Sequence, residues 1–412
     1  MKKVFLMFLG LLPFVGMAQK ADEVKVKLSG LVTGEAIYDS RVSVTAREGD
    51  VLLYPKNEDL DIYGDDLNDR SELYMTTIHS RINIGVSGFE AFGAKGTACV
   101  QGDFASTAND YTGLFRLRHA YVKLDWGKDE LLLGKYWHPM FVTSCYPDVL
   151  AWNAGIPFNV LARAPQIKYT RDLGDKGYVF IAALSEMDAK STGPNGASVE
   201  YVQQAGIPEF SGQIKYDFAK GFTLGATAGY KFLKPLTENS LGAKTDELLS
   251  CYQMNAWMTL KSDKVVWNLQ TIYGQNMYNF VMLGGYGVKN VKGNGDYEYT
   301  NIKTSSIWSD VHTTTGNIHY GLFAGYTKNL GADDDLATDT DGDFVGLYSR
   351  GGDIDYVYQF GPRIEIYSGK CMVGAQVLYT AAAYGDTKVD GTVANSEEFS
   401  STRSSIYLRY SF

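Results

Sequence analysis

Arg116 and Arg118 flank a single leucine within an alternating segment, so a strand there carries both guanidiniums on one face. Arginine stays charged and offers a planar fork to carboxylates. Two such groups on a hydrated wall draw anions, which is the chemistry of selection at a narrow point. Arg81, Lys168, Lys215, Arg363, Arg403 and Arg409 occupy polar positions of other alternating segments, and Arg163 ends an apolar link. Asp148 and Glu365 are the acidic candidates. Any single arginine has a blander role open to it, pairing with a wall acid or a lipid phosphate at a rim. As a cluster they point to an anion-attracting zone.

Other chemistry is thinner. Asp333, Asp334, Asp335, Asp339, Asp341 and Asp343 fall within 333–343 as DDDLATDTDGD. Asp339, Asp341 and Asp343 around a glycine bend supply oxygen ligands suited to Ca²⁺, although the twelfth position from Asp339 is Arg350 and not glutamate. A second acidic group comprises Glu58, Asp59, Asp61, Asp65, Asp66 and Asp69. Solvated external loops, or divalent bridges to lipid phosphates, account for both groups as well. The five histidines, His79, His119, His138, His312 and His319, sit in no GxSxG or HExxH spacing, and Gly85-Val86-Ser87-Gly88 is only superficially similar to the first. No cofactor motif is present. Cys99, Cys145, Cys251 and Cys371 are widely spaced with no CxxC, and read as unpaired small apolar residues. A net charge of −9 argues against nucleic acid.

These groups need a scaffold, and the sequence describes one. In 353–366 one parity reads Asp353, Asp355, Val357, Gln359, Gly361, Arg363, Glu365, and the other Ile354, Tyr356, Tyr358, Phe360, Pro362, Ile364, Ile366. The C-terminus sets Ser401, Arg403, Ser405, Tyr407 and Arg409 against Thr402, Ser404, Ile406, Leu408 and Tyr410. Ser211, Gln213, Lys215 and Asp217 oppose Phe210, Ile214, Tyr216 and Phe218, and His79, Arg81 and Asn83 oppose Ile78, Ile82 and Ile84. A hydrated lumen needs one polar face, and lipid needs an apolar face with aromatics at its borders. The uncharged run 265–288 holds too many amides for a membrane helix and alternates instead. The chain therefore reads as all-β, a closed antiparallel transmembrane β-barrel.

Sixteen strands are expected near 24–38, 78–89, 94–105, 115–126, 129–138, 165–172, 178–186, 209–218, 222–233, 250–261, 264–275, 297–310, 316–328, 353–367, 371–384 and 402–412. Short links follow even strands and long links odd ones, the pattern of periplasmic turns and external loops. Residues 1–18 read as a secretory signal peptide, with Lys2 and Lys3 before an apolar run and cleavage near Ala18. That leaves 19–412 as one barrel domain destined for the outer membrane, in contact with its lipid and lipopolysaccharide.

The long link 139–164 differs from the rest. Met140, Phe141, Val142, Val149, Leu150, Trp152, Ile156 and Phe158 suit a loop folded into the barrel better than one in water. Gly134-Lys135-Tyr136-Trp137-His138-Pro139-Met140-Phe141, then Gly155-Ile156-Pro157-Phe158 and Arg163-Ala164-Pro165-Gln166-Ile167-Lys168-Tyr169, resembles the DcaP-like porins. The resemblance implies an inward constriction loop after the fifth strand, a homotrimer, and passive diffusion of small, often anionic, solutes. The N-terminal coiled coil of some relatives has no counterpart in 19–24. The terminal Phe412 is similar to the endings read by the barrel assembly machinery. Expected pore-lining residues are Arg81, Arg116, Arg118, Asp148, Arg163, Lys168, Arg363 and Arg403. The rival readings are a non-conducting surface or adhesion protein and, with less support, a barrel enzyme.

Overall fold

The computed structural model describes residues 24–150 and 154–412. The expected signal peptide, with Trp152 and Asn153, lies outside the described residues.

Sixteen wall strands close on themselves. They are β1 (Lys25–Asp39), β2 (Arg81–Ala91, prolonged by Glu72–Thr76 beyond a bend), β3 (Ala94–Asp103), β4 (Arg116–Asp125), β5 (Asp129–Trp137), β6 (Arg163–Asp172), β7 (Gly177–Leu184) and β8 (Glu209–Ala219). Then follow β9 (Phe222–Leu233), β10 (Leu249–Lys261), β11 (Val265–Gln275), β12 (Tyr297–Thr313), β13 (Ile318–Ala332), β14 (Ile354–Ser368), β15 (Cys371–Thr387) and β16 (Val393–Ser411). Each pairs antiparallel with its neighbours, and β16 returns to β1 in a register running from Leu31↔Ser411 to Asp39↔Arg403. Closure satisfies every strand edge, which lipid cannot do. All sixteen expected strands are present.

The outward face is apolar. Ile82, Ile84, Ile167, Ile181, Phe210, Ile214, Leu322, Phe360, Ile406 and Leu408 are all exposed. On a soluble protein this would be a large aggregating surface, whereas around a barrel it is the lipid contact. The inward face carries the polar alternates, Gln213, Gln359, Arg363 and Arg403 among them, and these are buried. Two assignments need correction. A register shift between Ile354 and Tyr356 turns Ile354 inward, where it is fully buried. Ile78, in the bend of β2, is buried as well.

The seam is stapled from within. Asp39 and Arg403 are register partners, with Nε–Oδ1 at 2.7 Å and Nη2–Oδ2 at 2.6 Å, and their side chains are 0% and 1% exposed. A second fork joins Arg363 of β14 to Asp310 of β12, at 2.7 Å. It has to cross β13, and it does so over Gly321, where an added Cβ would fall 2.2 Å from the guanidinium carbon. Only glycine leaves room for that crossing.

The long links are not all external. Within 40–71 a hairpin of Ser43–Ala46 and Val51–Pro55 turns inward, burying Leu52, Leu53 and Tyr54. Within 276–296 the segment Met277, Phe280, Met282 and Leu283 is also fully buried. Much of 385–401 continues β15 and β16 as a long ribbon instead of forming a loop. All four cysteines are free.

Candidate functional site

The link between β5 and β6 lies inside the lumen, held by wall side chains from strands far apart around the ring. The Gln213 amide donates to Pro139 O (3.2 Å), Asn255 to Met140 O (3.0 Å) and Ser306 Oγ to Phe158 O (2.8 Å). Gln376 Oε1 accepts from Leu150 N at 3.0 Å, and His138 Nε2 sits 3.0 Å from Glu209. Met140, Phe141, Val142, Leu150, Ile156 and Phe158 are all buried, as their composition predicts for an inward loop. The Phe158 ring packs on bare backbone at Gly325, where an added Cβ would lie 2.5 Å from Cγ. Gly325→Val therefore unseats Phe158. With buried phenylalanine truncations costing about 3–5 kcal/mol, amide exchange across 138–162 should accelerate at least tenfold, read by mass spectrometry, while exchange in β8 to β10 stays slow.

The loop divides the interior. One chamber of about 720 Å³ lies on one side and a smaller one of about 250 Å³ on the other. Tyr136, Trp137, Phe141 and Thr143 line both. The larger chamber is cationic. Arg47, Arg81, Arg116, Arg118, Arg163, Lys190, Arg350 and Arg409 line it, against the carboxylates Asp148, Asp188 and Glu365.

The arginines are held in different ways. Asp103, wholly buried, accepts from Arg116 Nε at 2.7 Å and from Arg118 Nη1 at 2.6 Å. One carboxylate thus orients two guanidiniums, leaving a surplus charge. Arg163 lies over the Trp137 ring at 3.7 Å, and its buried Nε has no hydrogen-bond partner among the described residues. Arg47, at the turn of the inward hairpin, donates to Asn109 Oδ1. Burial, and then the nearby Arg116 charge, push its guanidinium below the ordinary value.

Of the residues expected to line a pore, Arg81, Arg116, Arg118, Asp148 and Arg163 come together in the larger chamber. Lys168 lies in the smaller one, its ammonium 4.8 Å from the Tyr136 ring centre. Arg363 and Arg403 do not line either chamber, because their charges are spent on Asp310 and Asp39. Asp148 lies 3.5 Å from Arg363 Nη2 and so links the loop to that buried pair. Arg47, Arg350, Lys190 and Asp188 were not anticipated. Val42-Ser43-Val44-Thr45-Ala46 and Val51-Leu52-Leu53-Tyr54 around Arg47-Glu48-Gly49-Asp50 carry a hairpin signal that could have exposed the first of them.

Asp339, Asp341 and Asp343 lie in a local turn of an exposed loop. Asp339 Oδ1 accepts the amides of Asp341 (2.9 Å) and Asp343 (3.0 Å), closing an Asx turn. Asp61 does the same with Tyr63 and Asp65, and Asn239 with Leu241 and Ala243. A neutral asparagine builds the same turn, so the turn itself requires no carboxylate charge. At Asp61 the amide of Asp65, then that of Tyr63, holds the carboxyl below the usual range. Among the described residues the aspartates of 339–343 are not gathered into a ligand set, whereas Glu35, Asp50 and His79 are.

No protein-family model matches the chain, and no curated protein matches it in sequence. Solved structures match its fold over nearly its whole length. The outer membrane channel DcaP of Acinetobacter baumannii superposes with a TM-score of 0.70 at 16% identity, covering 96% of this chain and 99% of that one. OmpT of Vibrio cholerae, in a trimer form, gives 0.56 at 11% identity, covering 94% and 99%. The anion-selective porin from Comamonas acidovorans gives 0.55 at 12% identity, covering 95% and 100%. A closed barrel with this lipid-facing surface is an outer-membrane barrel, and the chain has the sixteen-stranded porin fold that its resemblance to the DcaP-like porins implies.

Proposed function

We propose that this barrel is a passive porin for small polar solutes, with a preference for anions. The observation that carries the reading is the larger chamber, where eight cationic side chains meet three carboxylates beside the inward loop. Permanent guanidinium charges attract and pass oxyanions, but do not make the proton transfers of hydrolysis, so the channel reading is preferred to an enzymatic one. Arg81, Arg116, Arg118, Asp148 and Arg163 set the field, with Lys168 below the loop as a second cationic step. The overall −9 does not oppose this, since acids such as Asp61, Asp65 and Asp341 sit in exposed external loops. The trimer form of the Vibrio OmpT and the anion selectivity of the Comamonas porin support a trimeric, anion-preferring assembly here.

Liposome swelling tests the reading. Vesicles carrying the folded protein should swell faster in a small carboxylate salt than in a neutral sugar of equal size. Equal and negligible swelling in both would favour the non-conducting surface protein, with its inner loops acting as a plug.

A further inference from the structure

We propose that Glu35, Asp50 and His79 form a binding site for a first-row divalent metal ion, zinc being the best match, inside the barrel. Three segments distant in sequence meet there. Glu35 faces inward from β1, His79 sits in the bend of β2, and Asp50 closes the turn of the inward hairpin. Their potential ligand atoms all lie within 4.8 Å of one another. His79 Nδ1 is 3.2 Å from Glu35 Oε1, and Nε2 is 2.8 Å from Asp50 Oδ2.

Burial gives the cluster its meaning. Glu35 is 7% exposed, His79 3% and Asp50 0%. Asp50 Oδ1 is buried with no hydrogen-bond partner among the described residues. Two carboxylates and one imidazole are thus enclosed together. A divalent cation would draw on all three donors, the unpartnered Asp50 oxygen among them. One imidazole with two carboxylates is a nitrogen–oxygen donor set favoured by zinc, with ligands at about 2.0–2.2 Å. One imidazole nitrogen takes the ion, so the carboxylate now beside the other nitrogen swings round to join it. His79 also lines the larger chamber, so an ion and a completing water can reach it from the lumen. The bound ion would tie the hairpin that carries Arg47 to the wall. This inference stands whether or not solutes pass.

The test is metal content. Detergent-folded protein is stripped with EDTA, incubated with ZnCl₂, passed through gel filtration and assayed by mass spectrometry for zinc per chain. About one zinc per folded chain is expected for wild type and for His319→Gln, a control away from the cluster. His79→Gln and Asp50→Asn should each retain at least tenfold less. Heat-dependent gel migration reports folding, and two variants guard against failure of one. Wild type that retains no zinc, or variants that retain as much as wild type, would overturn the site and leave an imidazolium clamped between carboxylates.

Discussion

With Arg163 changed to glutamine, the channel loses much of its preference for anions. Arg163 differs from Arg116 and Arg118, whose charges share the buried Asp103. Arg163 rests on Trp137, a neutral ring, and among the described residues no carboxylate lies within ion-pair distance of it. A unit charge about 6 Å from a passing ion is worth about 0.7 kcal/mol even at the dielectric of water. That is about threefold in local anion concentration for this one arginine. Lower effective dielectric between the loop and the wall enlarges the effect. The anion-to-cation permeability ratio, from reversal potentials in a salt gradient, should fall accordingly. The same change at Arg363 should do far less, since Asp310 already balances it. An Arg163→Gln variant with an unaltered ratio would remove this arginine from the selectivity account.

Arg403→Met weakens the barrel by about 3–5 kcal/mol, because it strands Asp39 as an unpaired buried charge at the seam. The companion Asp39→Leu/Arg403→Met removes both charges and restores most of the loss, since apolar replacements of buried pairs are often neutral. Urea unfolding followed by heat-dependent gel migration separates the two cases. If single and double variants lose equal stability, the fork is not what holds the seam.

The barrel was legible because its two faces meet different solvents. The parity that sets Arg403 and Tyr407 against Ile406 and Leu408 survives intact in β16. The inward loop was legible for the same reason, since Met140 and Phe158 have no place in water. What could not be read is set by contacts across the ring. Arg363 and Arg409 share a polar-face pattern, yet only Arg409 reaches the chamber. The difference lies in Asp310, two strands away, and in the passage that Gly321 leaves open. A bulge of one residue reversed the facing of Ile354. The meeting of Glu35, Asp50 and His79 depends on a hairpin that turns inward instead of outward. Hairpins announce their pairing in sequence, but not the side of the wall on which they fold.

The most direct test is single-channel recording from purified, folded protein in a planar bilayer under a KCl gradient. The account predicts stepwise openings, grouped in threes for a trimer, with a reversal potential displaced toward the chloride equilibrium. Folded barrels that insert and carry no current, or carry it with a preference for potassium, would contradict it.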